Sequence, residues 1–473
     1  VNGNAKAVML PGAVNCPGRV TDAKEDAYMI WHKSKVGFLV LAMAIVVISL
    51  SLLTAAPSGA ASDQKKVLKF GSIVPFNQKE GLEIQKWMKL FAKMYNEQGG
   101  WLIGGQRYQV EYTAYDGGFQ DAPKARSAVE RAVLQDGLKL LVSNWGDPET
   151  QTTTITEPNK VLVLGDGFND AAIEPANNYY IRSSGVYFTR GLTYIIQKDY
   201  MARGAKTDVI VNPDTEAGKF GGMLWASTAK LAGLKVLDNL YFNSSQLDFG
   251  PIASKIVSLH PDMVDTAFTT GNQITNLIAA LKDAGYKGLI YPGNMTPFVF
   301  DACLARVGKE YLEGTESLYF DPRGIQKDPK MLELVNRYIK EYGEFQIEGI
   351  GWLWSWFPFR DAVESTGSID PEVLRKYLQN SKKATMGLLG YVQLFARPDK
   401  GNFKTIDAAP TTPVSIVRNG KLTGLKVASV KDQYLVSIKS YGTVEAYQKY
   451  WDTYGYPKFP DEPSIFDYKD LKK

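Results

Sequence analysis

From Val67 onward, short strand-like apolar runs alternate with amphipathic helix-like runs, and this rhythm leaves few folds open. Strands joined through helical crossovers run parallel, so the pattern predicts parallel sheets covered by helices. The first series places strands at 67–74, 108–115, 138–142, 161–164 and 179–182, with helices at 81–98, 122–135 and from about Pro148. Leu82, Trp87, Leu90, Phe91 and Met94 are the apolar positions of the first helix, and Gly99-Gly100 is its stop. A second series places strands at 208–211, 235–242, 263–268 and 288–291, with helices at 186–201, 219–232, 252–259, 274–284 and 297–307. After a strand at 317–320 come three consecutive helices, 329–342, 348–365 and 371–379, then β-like segments at 390–395 and 413–417.

The expected fold class is α/β, with two doubly wound, Rossmann-like lobes separated by a helical return. Lobe 1 is expected near 67–184 plus part of 316–395, and lobe 2 near 185–315 plus part of 396–426. Residues 427–473, rich in Tyr and Lys, are read as a C-terminal wrapping extension. In such sheets ligands bind outside the carboxyl ends of the strands, where helix N-termini offer free N–H donors. Two lobes can turn those ends toward one another across a cleft.

The 473 residues, 45% apolar and 22% charged, suit two or three domains that each bury a core. Lys and Arg number 54 against 50 Asp and Glu, with no basic stripe, so the concentrated positive footprint of a nucleic-acid binder is lacking. Residues 31–61 run from Trp31-His32-Lys33-Ser34-Lys35 through an apolar stretch, Val36 to Ala56, to Pro57-Ser58-Gly59-Ala60-Ala61. Basic, apolar and small in that order is the pattern of a secretory signal peptide, here 29–61, with cleavage near Ala60 or Ala61 and a mature chain in the periplasm. The same stretch is just long enough to span a bilayer, so a membrane anchor at 36–56 is the alternative. Residues 1–28 precede the first methionine, Met29, and are read as a dispensable or non-native leader. Of the two cysteines, Cys16 and Cys303, only the second lies beyond this segment, so no internal disulfide is expected and Cys303 is read as a small buried apolar side chain.

Groups for chemistry are sparse. His32 and His260 are the only histidines, which supports neither a His-rich metal site nor a Cys–His dyad. No G-x-G-x-x-G follows a strand, and no G-x-x-x-x-G-K-[ST] occurs. No cofactor, metal or catalytic residue is assigned, and His260, beside Pro261 at a helix end, is read as a surface cap. Within Trp352-Leu353-Trp354-Ser355-Trp356-Phe357-Pro358-Phe359, the residues Trp352, Trp356 and Phe359 share one helical face and are expected in the core. Trp354 is then left to reach a cleft or a partner.

Over about residues 67–425 the chain resembles the leucine/isoleucine/valine-binding family of periplasmic proteins, the type I clamp fold. The resemblance rests on the order of its landmarks: Leu68–Pro75 leading into Gly81; Tyr95-Asn96-Glu97-Gln98-Gly99-Gly100 and then Gly104-Gly105; Tyr115-Asp116; Thr150-Gln151; Asp166–Asn169; Leu281-Lys282-Asp283-Ala284-Gly285; Asp361-Ala362-Val363; and Thr385-Met386-Gly387. It implies an extracytoplasmic solute-binding protein, expected as a monomer, that closes over a small molecule and delivers it to an ABC transporter permease. A ligand sensor of the same fold that feeds a regulatory partner is the alternative. An exported enzyme is a third reading, without a nucleophile–base pair to carry it.

The resemblance also implies where a ligand would sit. A ligand carboxylate is expected in the loops Asp147-Pro148-Glu149-Thr150 and Asp166-Gly167-Phe168-Asn169, but Glu149 and Phe168 stand where a hydroxyl residue is expected. An ammonium is expected to meet an acid in the loop Tyr291-Pro292-Gly293-Asn294-Met295, where the best match is Asn294. Glu80 takes the place of an expected aromatic wall, and Ala217 that of a tyrosine. Unmatched polar groups in a closed cleft cost about 1–3 kcal/mol each, so leucine, isoleucine and valine are expected to bind poorly. With the loops that follow strands, the candidate ligand-binding residues are Glu80, Trp145, Glu149, Thr150, Asp166, Phe168, Asn169, Asn212, Thr215, Thr270, Asn272 and Asn294. Glu80, Glu149 and Asp166 favour a cationic or polyhydroxylated ligand, whereas Trp145 and Phe168 favour a flat apolar body; the sequence leaves that choice open.

Overall fold

The computed structural model describes residues 66–473 except 120, 146–148, 168–169, 184–188, 267–268, 270, 294, 319–320, 346–348 and 402–403; of 149–151 and 216 it describes the backbone alone. The expected leader and signal peptide lie outside the described residues. Among the described residues, no helix is long and apolar enough to cross a membrane.

The larger sheet, among the described residues, has nine strands in the spatial order β12 (Ala384–Gly387), β13 (Gly390–Ala396), β14 (Ile406–Pro410), β6 (Tyr180–Arg182), β5 (Leu162–Asp166), β4 (Leu140–Trp145), β1 (Lys66–Val74), β3 (Gln106–Asp116) and β2 (Trp101–Ile103). Neighbours from β14 to β3 run parallel, and the pairs at the two edges run antiparallel. The other lobe holds a parallel sheet, β10 (Leu289–Tyr291), β9 (Met263–Asp265), β7 (Thr207–Pro213) and β8 (Lys235–Phe242). Beside it lies an antiparallel sheet of β11 (Glu316–Leu318), β15 (Thr412–Arg418) and β16 (Lys421–Ala428). Residues 396–426 therefore divide: β14 joins the nine-stranded sheet, whereas β15 and β16 pair in the other lobe, and Thr411 alone separates β14 from β15.

Each parallel sheet is built the same way. The first strand of its series lies inside, with the second on one flank and the third on the other: β3–β1–β4 in one lobe and β8–β7–β9 in the other. Strand order reverses there, which opens a crevice at the carboxyl ends between β1 and β4 and between β7 and β9. In both lobes the helix after the first strand packs its first turn onto that strand's end. A Cβ on Gly81 would come within 2.0 Å of the Pro75 carbonyl oxygen, and one on Gly218 within 2.0 Å of the Pro213 carbonyl oxygen. Only glycine permits either approach.

The helix Lys79–Glu97 buries Ile84, Trp87, Met88, Leu90 and Phe91 against the nine-stranded sheet. Leu82, expected on that face, is 44% exposed, because it lies about 140° round the helix from Trp87. Beyond the Tyr108 pairing with β2, Asn96 acts as a substitute strand: its side chain donates to the Val110 carbonyl at 2.9 Å and accepts from the Val110 N–H at 2.8 Å.

The segment expected as one helix over 348–365 is instead a 3-10 turn, Ile350–Ser355, followed by the helix Trp356–Thr366. A 3-10 turn advances about 120° per residue rather than 100°, so the face expected to carry Trp352 with Trp356 and Phe359 does not exist. Trp356 and Phe359 enter the core, Trp354 is buried as well, and Trp352 turns toward Trp145. His260 takes the left-handed C-cap position of the helix Gly250–Leu259, and Cys303 is buried with its Sγ 3.6 Å from Thr275 Oγ1.

Candidate functional site

The crevice between β1 and β4 is held open by side chains in place of a ladder. These strands pair only at Gly71 and Leu141; two residues on, Asn144 Oδ1 accepts the Ile73 N–H at 2.9 Å, and Ser72 Oγ donates to the Val142 carbonyl. A bulge between Val142 and Asn144 puts Ser143 in the left-handed region at φ 57. Its hydroxyl lies 2.5 Å from that of Ser355 on the 3-10 turn. The bulge re-aims the end of β4, so that Trp145 closes the strand at the carboxyl edge.

Trp145 stands at the centre of an aromatic wall. Its ring lies 5.4 Å from Phe119, on the loop after β3, and 4.8 Å from Trp352, on the 3-10 turn. Trp145 is buried, while Phe119 and Trp352 are each partly exposed. Asp116 fixes the neighbouring loops by accepting the N–H groups of Phe76 and Gly118, each at 3.1 Å, beside Lys124 at 2.6 Å. Partial burial opposes ionisation of Asp116, but these donors outweigh it and hold the carboxyl below its ordinary value.

The other candidates of this lobe gather round the same edge. Asp166 ends β5 in register with Trp145 and is buried. Glu149 and Thr150 begin the helix Glu149–Thr156, close after β4. Glu80 lies in the first turn of the helix after β1, where Gly349 packs against its carbonyl. Phe168, Asn169, Thr270 and Asn294 lie outside the described residues.

In the second lobe the candidates separate. Asn212 is fully buried beneath the helix Glu216–Ala232, with Nδ2 donating to Asn239 Oδ1 at 3.3 Å. Thr215 caps that helix, its hydroxyl accepting the Gly218 N–H at 3.0 Å. Asn272 is exposed in the first turn of the helix Gly271–Asp283. Across the mouth, Lys79 Nζ lies 5.4 Å above the ring of Phe298, a cation–π contact between the helix after β1 and the helix Pro297–Val307 of the other lobe.

Phe119 and Trp352 are absent from the sequence-based candidates. The signal for Phe119 was its place just past Tyr115-Asp116; Trp352 was hidden by the helical projection.

Two doubly wound lobes with facing crevices define a binding protein for a small molecule, and the comparisons agree. The chain belongs to the periplasmic binding protein family, whose profile matches residues 83–416. Solved structures share the fold. A leucine-binding protein from Thermotoga maritima is 19% identical, with 76% of this chain and 98% of that chain covered and a TM-score of 0.59. A leucine-, isoleucine-, valine-, threonine- and alanine-binding protein from Brucella ovis in a closed conformation is 18% identical, covers 76% and 95%, and scores 0.62. An ABC transporter solute-binding protein from R. palustris in complex with benzoate is 16% identical, covers 76% and 96%, and scores 0.59. No curated protein matches the chain by sequence.

Proposed function

We propose that the protein is an exported solute receptor that closes its lobes over a small aromatic carboxylate and presents it to an ABC-type permease, with no bond made or broken. The observation that carries this reading is the wall of Phe119, Trp145 and Trp352 at the β1/β4 crevice. Aromatic pairs gain about 0.5–1.5 kcal/mol beyond burial of area, so a wall of rings suits a flat aromatic body better than a branched aliphatic one. Benzoate in the R. palustris protein is a ligand of this type on the same fold.

The moving bodies are the lobes, 67–184 with part of 316–395 and β14 on one side and 185–315 with 412–426 on the other, hinged where the chain passes between them. Of the sequence-based candidates, the uncharged Thr150, Phe168, Asn169, Thr270 and Asn294 are proposed as further ligand contacts, whereas Glu80, Glu149 and Asp166 would repel a carboxylate and have no part in holding it. Export by the segment 29–61 places the mature chain, from near Ser62, in the periplasm as a monomer.

A thermal-shift screen of the mature chain tests the reading. Benzoate and hydroxybenzoates should raise the melting temperature, since a ligand at 100 times its dissociation constant adds about 2.7 kcal/mol. Stabilisation by aliphatic amino acids alone would overturn the aromatic assignment.

A further inference from the structure

Residues 427–473 reach beyond the family-matched segment and carry three helices, Val430–Ser440, Val444–Tyr454 and Tyr468–Leu471, none of which the sequence pattern announced. They fold on themselves. The buried Asp432 carboxylate ties the chain end to the first of these helices, its Oδ1 accepting from Ser464 Oγ at 2.6 Å and from the N–H groups of Ile465 and Phe466 at 2.9 Å. Trp451 Nε1 donates to Tyr434 at 3.2 Å, and Lys439 Nζ to the Leu471 carbonyl at 2.6 Å.

This folded piece has a foot on each lobe. On the nine-stranded sheet, Tyr434 packs 4.1 Å from Phe395, Tyr447 donates to Asp399 Oδ1 at 3.0 Å, and the Lys458 carbonyl accepts from Gln393 Nε2 at 3.0 Å. On the other lobe, Gln433 Oε1 accepts the Leu192 N–H at 3.2 Å, which satisfies an orphan donor in the first turn of the helix Arg190–Ala202. Gly191 lies so close that a Cβ there would sit 2.6 Å from the Gln433 nitrogen. Between the feet the extension grips a crossing: Glu462 accepts from the hydroxyl of Thr411, the one residue between β14 and β15, and from the Val430 N–H at 3.0 Å.

We propose that this extension is a strap across the hinge that restricts how far the lobes open. The inference rests on the reading that the lobes move, and not on which ligand they hold. Rotation about the crossings must slide one foot or the other, so the contacts hold the arrangement in which Lys79 meets Phe298 across the mouth, oppose opening from it, and keep more of the ligand-free population there. A receptor whose competent state is better populated binds with less loss of apparent affinity.

Small-angle scattering of the mature, ligand-free chain tests this without a ligand. Two variants leave the cleft untouched: Gly191→Ala wedges the second-lobe foot, and Gln433→Ala with Tyr447→Phe removes a polar contact from each foot while adding no atoms. The expected result is a larger radius of gyration in both variants with circular dichroism unchanged. If Gly191→Ala does not fold, the double variant alone decides. A radius equal to that of the wild type in every variant that folds would overturn the proposal and make the extension a passive appendage. With benzoate as the probe, the double variant should also bind several-fold more weakly; a wider ligand-free form without any benzoate binding would keep the strap and refute the ligand assignment.

Discussion

Trp352 and Asp208 show how far a single residue can be read from its neighbours. Trp352 has one face on Trp145 and part of its surface free, so replacing it with Ala should lower affinity for a benzoate-type ligand about tenfold, or about 1.4 kcal/mol, measured by calorimetry. Unchanged affinity would return Trp352 to packing. Asp208 lies fully buried in β7, the strand that pairs with the one carrying Asp265. Burial raises both carboxyls well above their ordinary value, and for Asp265 the charge of Asp208 adds to it. The folded state therefore keeps protons that the unfolded state releases from about pH 4 upward, so this pair takes stability away as pH rises. Asp208→Asn should raise the melting temperature at pH 7.5 and change it little at pH 4. Equal shifts at the two pH values would contradict that assignment.

At the scale of elements, the fold was legible where a helix or strand buries one face and solvates the other. The parallel strands were legible for a different reason: β4, β5, β6, β7 and β9 are buried on both faces, so they stand out as short continuous apolar runs and were read within a few residues. β2 and β12 are too short to show a period. The helix Val430–Ser440 was invisible for the opposite reason: eight of its residues, from Val430 to Ile438, are buried on all sides, polar Asp432, Gln433 and Ser437 among them, so no apolar stripe stands out. The candidate site was legible in its loops, because strand ends predict them, but not in the direction of each side chain. Thr215 illustrates this, since it lies in a loop of the expected kind yet spends its hydroxyl on the Gly218 N–H. Thr215→Ala should cost about 1 kcal/mol of stability, with Thr215→Ser restoring it and ligand affinity unaffected in both. A loss of affinity in Thr215→Ala that Thr215→Ser restores would give Thr215 back its ligand role.

The molecule as a whole joins two copies of one device. In each lobe a central strand leads into a proline carbonyl pressed on a helix glycine, and strand order reverses beside it. The lobes differ in what they bring to the crevice: described aromatic rings in the first, helix N-termini after β7 and β9 in the second. The neighbouring strands β6 and β14 are bound by buried charges, with Arg182 Nη2 2.5 Å from Asp407 and Arg397 Nη1 3.0 Å from the same carboxylate. Asp170 joins them; burial opposes its ionisation, but Arg182, Arg397 and Lys400 outweigh it and hold its carboxyl far below the ordinary range. The measurement that bears most directly on this account is calorimetric titration of residues 62–473 at neutral pH with benzoate, 4-hydroxybenzoate and leucine. Micromolar binding of an aromatic carboxylate, about −8 kcal/mol, with none for leucine is the predicted result; micromolar leucine binding with no heat from either aromatic acid would contradict it.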